Sequence, residues 1–217
     1  MLIDLTHTIT EDMPMFPGTR PPQFTTIGTM EKNGYRETLL TLSSHTGTHM
    51  DAPAHMLADG MRLENCPPDR LFGQAAVVDC TGLTAISAHW LRAQWSLLRQ
   101  ANYVLLYTGW QEKWDSPDYF TDFPQLDLDA AALLTTLPNL YGVGVDALSV
   151  DWMDNVQLER HHILLEAGLL IVENLCNLHL LPVDRLFPLA ALPIKVAEGD
   201  GAPARVLAIL DKEDCHA

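Results

Sequence analysis

The sequence predicts an α/β fold, a single domain with a mixed β-sheet flanked by helices. Three observations predict it. Short apolar runs of strand length at 75–78, 103–107, 140–145 and 169–172 alternate with stretches of helical spacing at 88–100, 127–136 and 156–167. A hairpin signal, Asn33-Gly34 between two runs rich in Thr and Leu, adds antiparallel pairing. The 217 residues hold no repeat, low-complexity run or linker, so 1–217 reads as one domain with a full core. Helices between strands call for parallel crossovers, whereas hairpins call for antiparallel neighbours. Both together give a mixed sheet rather than a pure βαβ repeat.

Residues 2–5 read as a short first strand. Residues 8–22 carry Pro14, Pro17, Gly18, Pro21 and Pro22, too much proline for a helix or a central strand. Phe16 stands on this loop, where an aromatic either walls a pocket or plugs the core. The runs 24–30 and 36–43 flank Asn33-Gly34 as hairpin strands, and the second leads into His45. Asp59-Gly60 marks a turn, 67–72 suits a short helix, and 75–78 is a buried strand. Ser87 caps a helix over 88–100, with Trp90, Leu91, Trp95 and Leu98 at helical spacing and His89 in a structural role.

Thr108-Gly109-Trp110 follows the apolar strand 103–107, where αβ sheets commonly place binding loops. Trp110 reads as pocket lining, core or rim. Residues 114–123 form an irregular loop, a lid or a subunit contact. A helix over 127–136 precedes the strand 140–145, which ends at Asp146. Gly168 stops the helix 156–167. On that helix Leu158, Leu164 and Leu165 share the face of His161, while Glu159 and Glu166 share the face of His162. His161 therefore points inward and His162 toward water. His161 is either a core histidine bonded to a carbonyl or part of a site. Glu173, at the end of strand 169–172, is either solvated or placed in that site. Late strands follow at 187–196 and 205–210.

The chemistry gathers at residues 45–55. His45, His49, Asp51 and His55 place three imidazoles and one carboxylate within eleven residues. Neutral imidazole and carboxylate suit Zn²⁺ or Mn²⁺. Gly47 and Pro53 disfavour a regular helix, and the stretch reads as a strand end turning into a loop. Gly47 permits a bend that returns His45 toward His49. His49 and Asp51, two apart, share one face of any extended stretch. His55 follows a proline-fixed turn, close enough to stand behind the ligands.

His45-Thr46-Gly47-Thr48-His49-Met50-Asp51-Ala52-Pro53-Ala54-His55 also resembles the HxGTHxDxPxH motif of the cyclase-like metal-dependent hydrolases. That family includes bacterial kynurenine formamidase and isatin hydrolase. The resemblance runs from Ile3-Asp4-Leu5-Thr6 to Ile171-Val172-Glu173-Asn174-Leu175. It implies a swivelling β/β/α fold, with His45, His49 and Asp51 as metal ligands and His55 as the catalytic acid/base. It implies Zn or Mn, as one or two ions. His161 and Glu173 match the pair that holds a second ion in the formamidases, with Asp51 then bridging. In one-metal relatives Glu173 would touch substrate or support the ligands. Phe16 falls where the family often has an aromatic, commonly Trp. A homodimer or higher homo-oligomer is implied as well.

By this resemblance the protein hydrolyses a small amide, as an arylformamidase of tryptophan catabolism does. Phe in place of Trp, and the stretch Glu173-Asn174-Leu175-Cys176-Asn177-Leu178 that follows strand 169–172, keep a cyclic lactam or lactone hydrolase as the alternative. A non-catalytic metal or small-ligand binding protein is the third reading, and the intact His55 argues against it. Ser44 lies in no GxSxG elbow, and Cys66 has no evident activating partner, so nucleophilic catalysis is not expected.

Composition bounds the rest. A net charge of −15 makes nucleic acid and anionic membranes poor partners. Apolar content is 47%. No signal peptide or bilayer-length apolar run is visible, so a cytoplasmic protein is expected. Cys66, Cys80, Cys176 and Cys215 form no CxxC pair, and no disulfide is expected. His7, His179 and His216 carry no evident task.

Overall fold

The computed structural model describes residues 1–211; Cys215 and His216 lie outside them. Its strands are β1 (Leu2–Asp4), β2 (Gln23–Gly28), β3 (Glu37–Thr41), β4 (His49–Asp51), β5 (Phe72–Asp79), β6 (Ala85–Ile86), β7 (Tyr103–Tyr107), β8 (Gln125–Leu126), β9 (Gly142–Val145), β10 (Leu170–Glu173), β11 (Phe187–Pro193) and β12 (Gly201–Ile209). Its helices are α1 (Met30–Asn33), α2 (Ala88–Arg92), α3 (Trp95–Leu98), α4 (Leu128–Leu134) and α5 (Glu159–Glu166).

Eight strands form one mixed sheet in the order β1-β12-β11-β5-β7-β9-β10-β4, and β4 pairs again with β12. β5, β7, β9 and β10 run parallel. The pairings of β1, β4, β11 and β12 are antiparallel. The mixed sheet flanked by helices is thus as the sequence predicts. Its closure is not visible in sequence. The three residues of β4 sit between β10 and the start of β12, and they cover two backbone edges that would otherwise stand open.

Side chains alternate along these strands and divide the interior in two. Ala75, Val77, Tyr103, Leu105, Leu170 and Val172 share one core with Met50 of β4. Their neighbours Ala76, Val78, Val104, Leu106 and Ile171 face the other way, against Leu91, Ala131, Leu134 and Leu164 of the helices. Since Met50 belongs to the first core, His49 and Asp51 point to the helix side.

Several boundaries differ from the sequence reading, each for a local reason. The hairpin carries α1 at its tip. Thr29 caps α1, and Gly34 ends it with φ 73°, so Asn33-Gly34 is a helix end rather than a two-residue turn. The helix expected over 88–100 breaks at Gln94 (φ −111°, ψ 19°), and Trp90 turns outward to donate its Nε1–H to Asp79 O. Residues 68–71 form a 3₁₀ turn that runs directly into β5, which makes that strand longer than expected. α5 begins later than 156 because the Asp151 carboxylate caps it, accepting from the backbone N–H of Arg160 and His161. Gly168 (φ 73°) follows α5 as expected. Gly201 and Pro203 are poor strand formers, yet they open β12 because β4 pairs with them. β6 and β8 add a small parallel ladder that the sequence did not suggest. Among the described residues no helix is long and apolar enough to cross a membrane, and Cys66, Cys80 and Cys176 are free thiols.

Candidate metal centre

The loop before β4 turns at Gly47, whose φ of 63° is a left-handed conformation that favours glycine. The order is the reverse of the expected one: the loop carries His45, and the strand follows with His49 and Asp51 on one face. β10 pairs antiparallel with β4, and its register sets Glu173 opposite His49. Buried His161 of α5 approaches the same two carboxylates from the helix layer. Pro53–His55 make one 3₁₀ turn, which lays the His55 ring 4.1 Å from that of His45, centroid to centroid.

These placements converge on Asp51, which is 1% exposed. Its Oδ1 lies 2.6 Å from His45 Nδ1 and 3.3 Å from His49 Nε2. Its Oδ2 lies 3.7 Å from His161 Nε2 and has no hydrogen-bond partner. Glu173 stands 3.5 Å from His49 Nε2 through Oε2 and 3.4 Å from His161 Nε2 through Oε1. Among the described residues three groups of donor atoms result, each within 4.8 Å: His45, His49 and Asp51; Asp51, His161 and Glu173; and, only partly buried, His45, His55 and Asp200. Asp51 belongs to the first two.

The outer ring nitrogens are engaged as well. His49 donates Nδ1–H to Gly47 O at 2.7 Å, and His161 donates Nδ1–H to Asp151 Oδ2 at 2.8 Å. Each bond leaves Nε2 facing the carboxylates. Burial alone lowers the pKa of both rings, but the carboxylates around them outweigh it and push each up to about 10. Burial raises Asp51, yet His49 and His45 hold it well below the usual carboxylate range. For His55 burial lowers the pKa, with His45 and His161 adding to the effect, so it stays below its ordinary value.

The residues fit a divalent cation. Two buried carboxylates face one another's partners, one oxygen is orphaned, and the donor set is imidazole and carboxylate, which suits ions such as Zn²⁺ or Mn²⁺. A cavity of about 240 Å³ opens above the cluster. Phe16, 42% exposed, lines it together with Met15, Leu148 and Leu158, so this aromatic is a wall and not a core plug.

Other sequence candidates lie elsewhere. His162 is half-buried, its side chain 40% exposed beside Glu166, on the outer face that helical spacing predicts. Trp110 donates Nε1–H to Tyr119 O and does not line the cavity. Buried Trp114 stacks on His7 at 3.8 Å. His179 takes a hydrogen bond with the Gln111 amide. Burial raises the Cys66 thiol, which leaves it unreactive. Sequence reasoning missed Asp151, Asp200 and Asn174. Asp200 contacts His45 Nε2 at 3.0 Å. Buried Asn174 donates to Gly47 O at 3.0 Å and holds the turn before His49. A signal existed for Asp151 alone, as an acid shortly before a helix; Asp200 is 155 positions from its partner.

The Cyclase family model matches residues 3–152 of this chain. A kynurenine formamidase of Bacillus mycoides (strain KBAB4) is 32% identical over 207 residues, which cover 94% of this chain and 95% of that protein. Isatin hydrolase A from Labrenzia aggregata, solved with benzyl benzoate, superposes with a TM-score of 0.86 at 25% identity, over 96% of this chain and 93% of that one. A structure described as a potential metal-dependent hydrolase with cyclase activity gives a TM-score of 0.80 at 29% identity, with 96% of each chain covered.

Proposed function

The chain belongs to the Cyclase family, and from that premise we propose that it is a metal-dependent hydrolase of a small amide, of the arylformamidase kind. The observation that carries the reading is Asp51, buried, shared by two donor triads and orphaned at one oxygen. His45, His49 and Asp51 would hold one divalent ion. His161 and Glu173 would hold a second, with Asp51 between them. The donor set supports Zn or Mn. When bound, such an ion acidifies water and stabilises the negative charge that develops on the carbonyl oxygen.

The protein's own groups supply the remainder. His55 takes a proton from the attacking water. As the carbon–nitrogen bond breaks, the same ring returns that proton to the leaving nitrogen. Phe16 packs on the aryl ring of the substrate. Met15, Leu148 and Leu158 give the cavity apolar wall beside the polar cluster. A cyclic lactam is the second reading, favoured by the overlay on isatin hydrolase A across nearly the whole chain.

We further propose that the protein works as a homodimer in a reducing cytoplasm. The β2–β3 ladder stands apart from the main sheet and exposes Phe24, Ile27, Leu39 and Leu40. A lone two-stranded ribbon is marginal in water, and a second copy of this chain would cover it. Among the described residues Cys66, Cys80 and Cys176 are free thiols, which supports a reducing compartment.

Purified protein should be assayed on N-formylkynurenine and isatin, before and after chelation, with Zn²⁺ or Mn²⁺ added back. Turnover that disappears with chelator and returns with one ion is the expected result. Turnover indifferent to chelator, or none on either substrate, would overturn the proposal.

A further inference from the structure

We propose that Asp200 is the positioning residue of His45: its carboxylate accepts the Nε2–H of that ring and so presents the Nδ1 lone pair to the side of Asp51 and His49. This inference rests on the metal-site reading above.

A neutral imidazole has one N–H, and the acceptor it meets decides which nitrogen keeps it. His49 and His161 each have such an acceptor, Gly47 O and Asp151, on the nitrogen turned away from the cluster. His45, like His161, has a carboxylate at both of its nitrogens. Asp51 Oδ1 lies 2.6 Å from Nδ1 and Asp200 Oδ2 lies 3.0 Å from Nε2. Asp200 stands in a partly buried group with His45 and His55, its side chain 44% exposed, whereas Asp51 is buried, stands in a triad with His49 and has an orphaned oxygen. Asp200 is left as the outer acceptor, and it gives His45 what its two neighbours already have.

The fold builds this contact deliberately from the other end of the chain. Gly201 pairs with Asp51 at the start of β12, and Ala52 N–H donates to Asp200 O at 2.9 Å, which pins the carboxylate bearer beside β4. Glu64 accepts from Glu198 and Gly199 N–H and fixes the preceding turn. A Cβ at position 201 would stand 2.7 Å from His45 Cε1, 2.9 Å from Met50 O and 3.1 Å from His45 Nε2, so glycine clears space for the ring and for the backbone of β4. His55 Nδ1 faces the same carboxylate at 3.6 Å, beyond hydrogen-bond length, so Asp200 serves His45.

The test is zinc affinity of metal-free protein, read by competition with a chromophoric chelator, for wild type, Asp200→Ala, Asp200→Asn and Gly201→Ala. Asp200→Ala should bind the ion about 10–100-fold more weakly, the usual cost of losing an outer partner. Asp200→Asn keeps an amide oxygen as acceptor and should recover most of that loss. Gly201→Ala should weaken binding with the carboxylate intact, because its Cβ crowds both the His45 ring and the Met50 carbonyl of β4. The thermal midpoint of the metal-free proteins should be the same for wild type and both Asp200 variants, since that side chain is 44% exposed. Imidazole ¹⁵N spectra of the zinc-loaded protein should place the His45 proton on Nε2 in wild type. Affinities of Asp200→Ala and Asp200→Asn both within twofold of wild type would overturn this inference alone. A wild-type protein that binds no zinc and no manganese would overturn the metal reading itself.

Discussion

Replacing His55 by Ala separates proton transfer from metal holding. The ring follows Pro53 on a single 3₁₀ turn and packs on His45 at 4.1 Å between centroids. Its Nδ1 is 3.6 Å from Asp200, so no hydrogen bond is lost there, and His55 stands in neither triad that contains Asp51. Removing a half-buried ring that contacts two others, His45 and His161, should cost about 1 kcal/mol of stability, the centre of the range for point substitutions. Loss of general acid–base catalysis, in contrast, lowers kcat by about 10²–10⁴. At 1.36 kcal/mol per decade that is about 2.7–5.4 kcal/mol of transition-state stabilisation, well above the structural term. Metal content and kcat should be measured on the same preparation. The expected result is a full complement of metal with a rate two to four decades down. An empty site, with rate restored by added metal, would make His55 a ligand and refute the assignment. Unchanged kcat would remove it from the mechanism altogether.

Phe16→Ala should raise KM several-fold while leaving the thermal midpoint nearly unchanged, because the ring is 42% exposed on the cavity wall; a fall of many degrees with constant KM would restore the core-plug reading. His161→Ala should lower bound metal by one ion per chain, as read by elemental analysis, whereas His162→Ala, on the outer face beside Glu166, should leave content and rate unchanged; equal losses would refute the placement of the two rings. His7 should tie stability to pH: burial, only partly opposed by Asp115, pushes its pKa down to about 4 from the unfolded 6.5. The unfolded chain therefore takes up a proton first, so this contribution is whole above pH 6.5 and is lost as pH falls toward 4. Urea midpoints of His7→Phe, which keeps the stack on Trp114, should fall less over that interval than those of wild type.

The chemistry of this protein was legible locally. His45, His49, Asp51 and His55 lie within one short stretch, so their residue types and spacing name a metal-ligand set before any fold is known. Strand alternation put His49 and Asp51 on one face, and helical period turned His161 inward and His162 outward; both hold because these periods are properties of the backbone itself. The mixed α/β class followed from the same periods. What they do not encode is a partner. An apolar strand states that it is buried, not which strand it will lie against or in what register. The antiparallel pairing of β10 with β4 brings Glu173 to His49. The pairing of β4 with β12 brings Asp200 to His45 across 155 positions, over a Gly201 whose missing side chain leaves room for the ring. Closure of the sheet through three residues is decided by burial of the whole core, a sum over distant contacts that no local window contains. The sequence therefore determined which groups could bind a metal, and tertiary structure alone decided how each imidazole is held to face it.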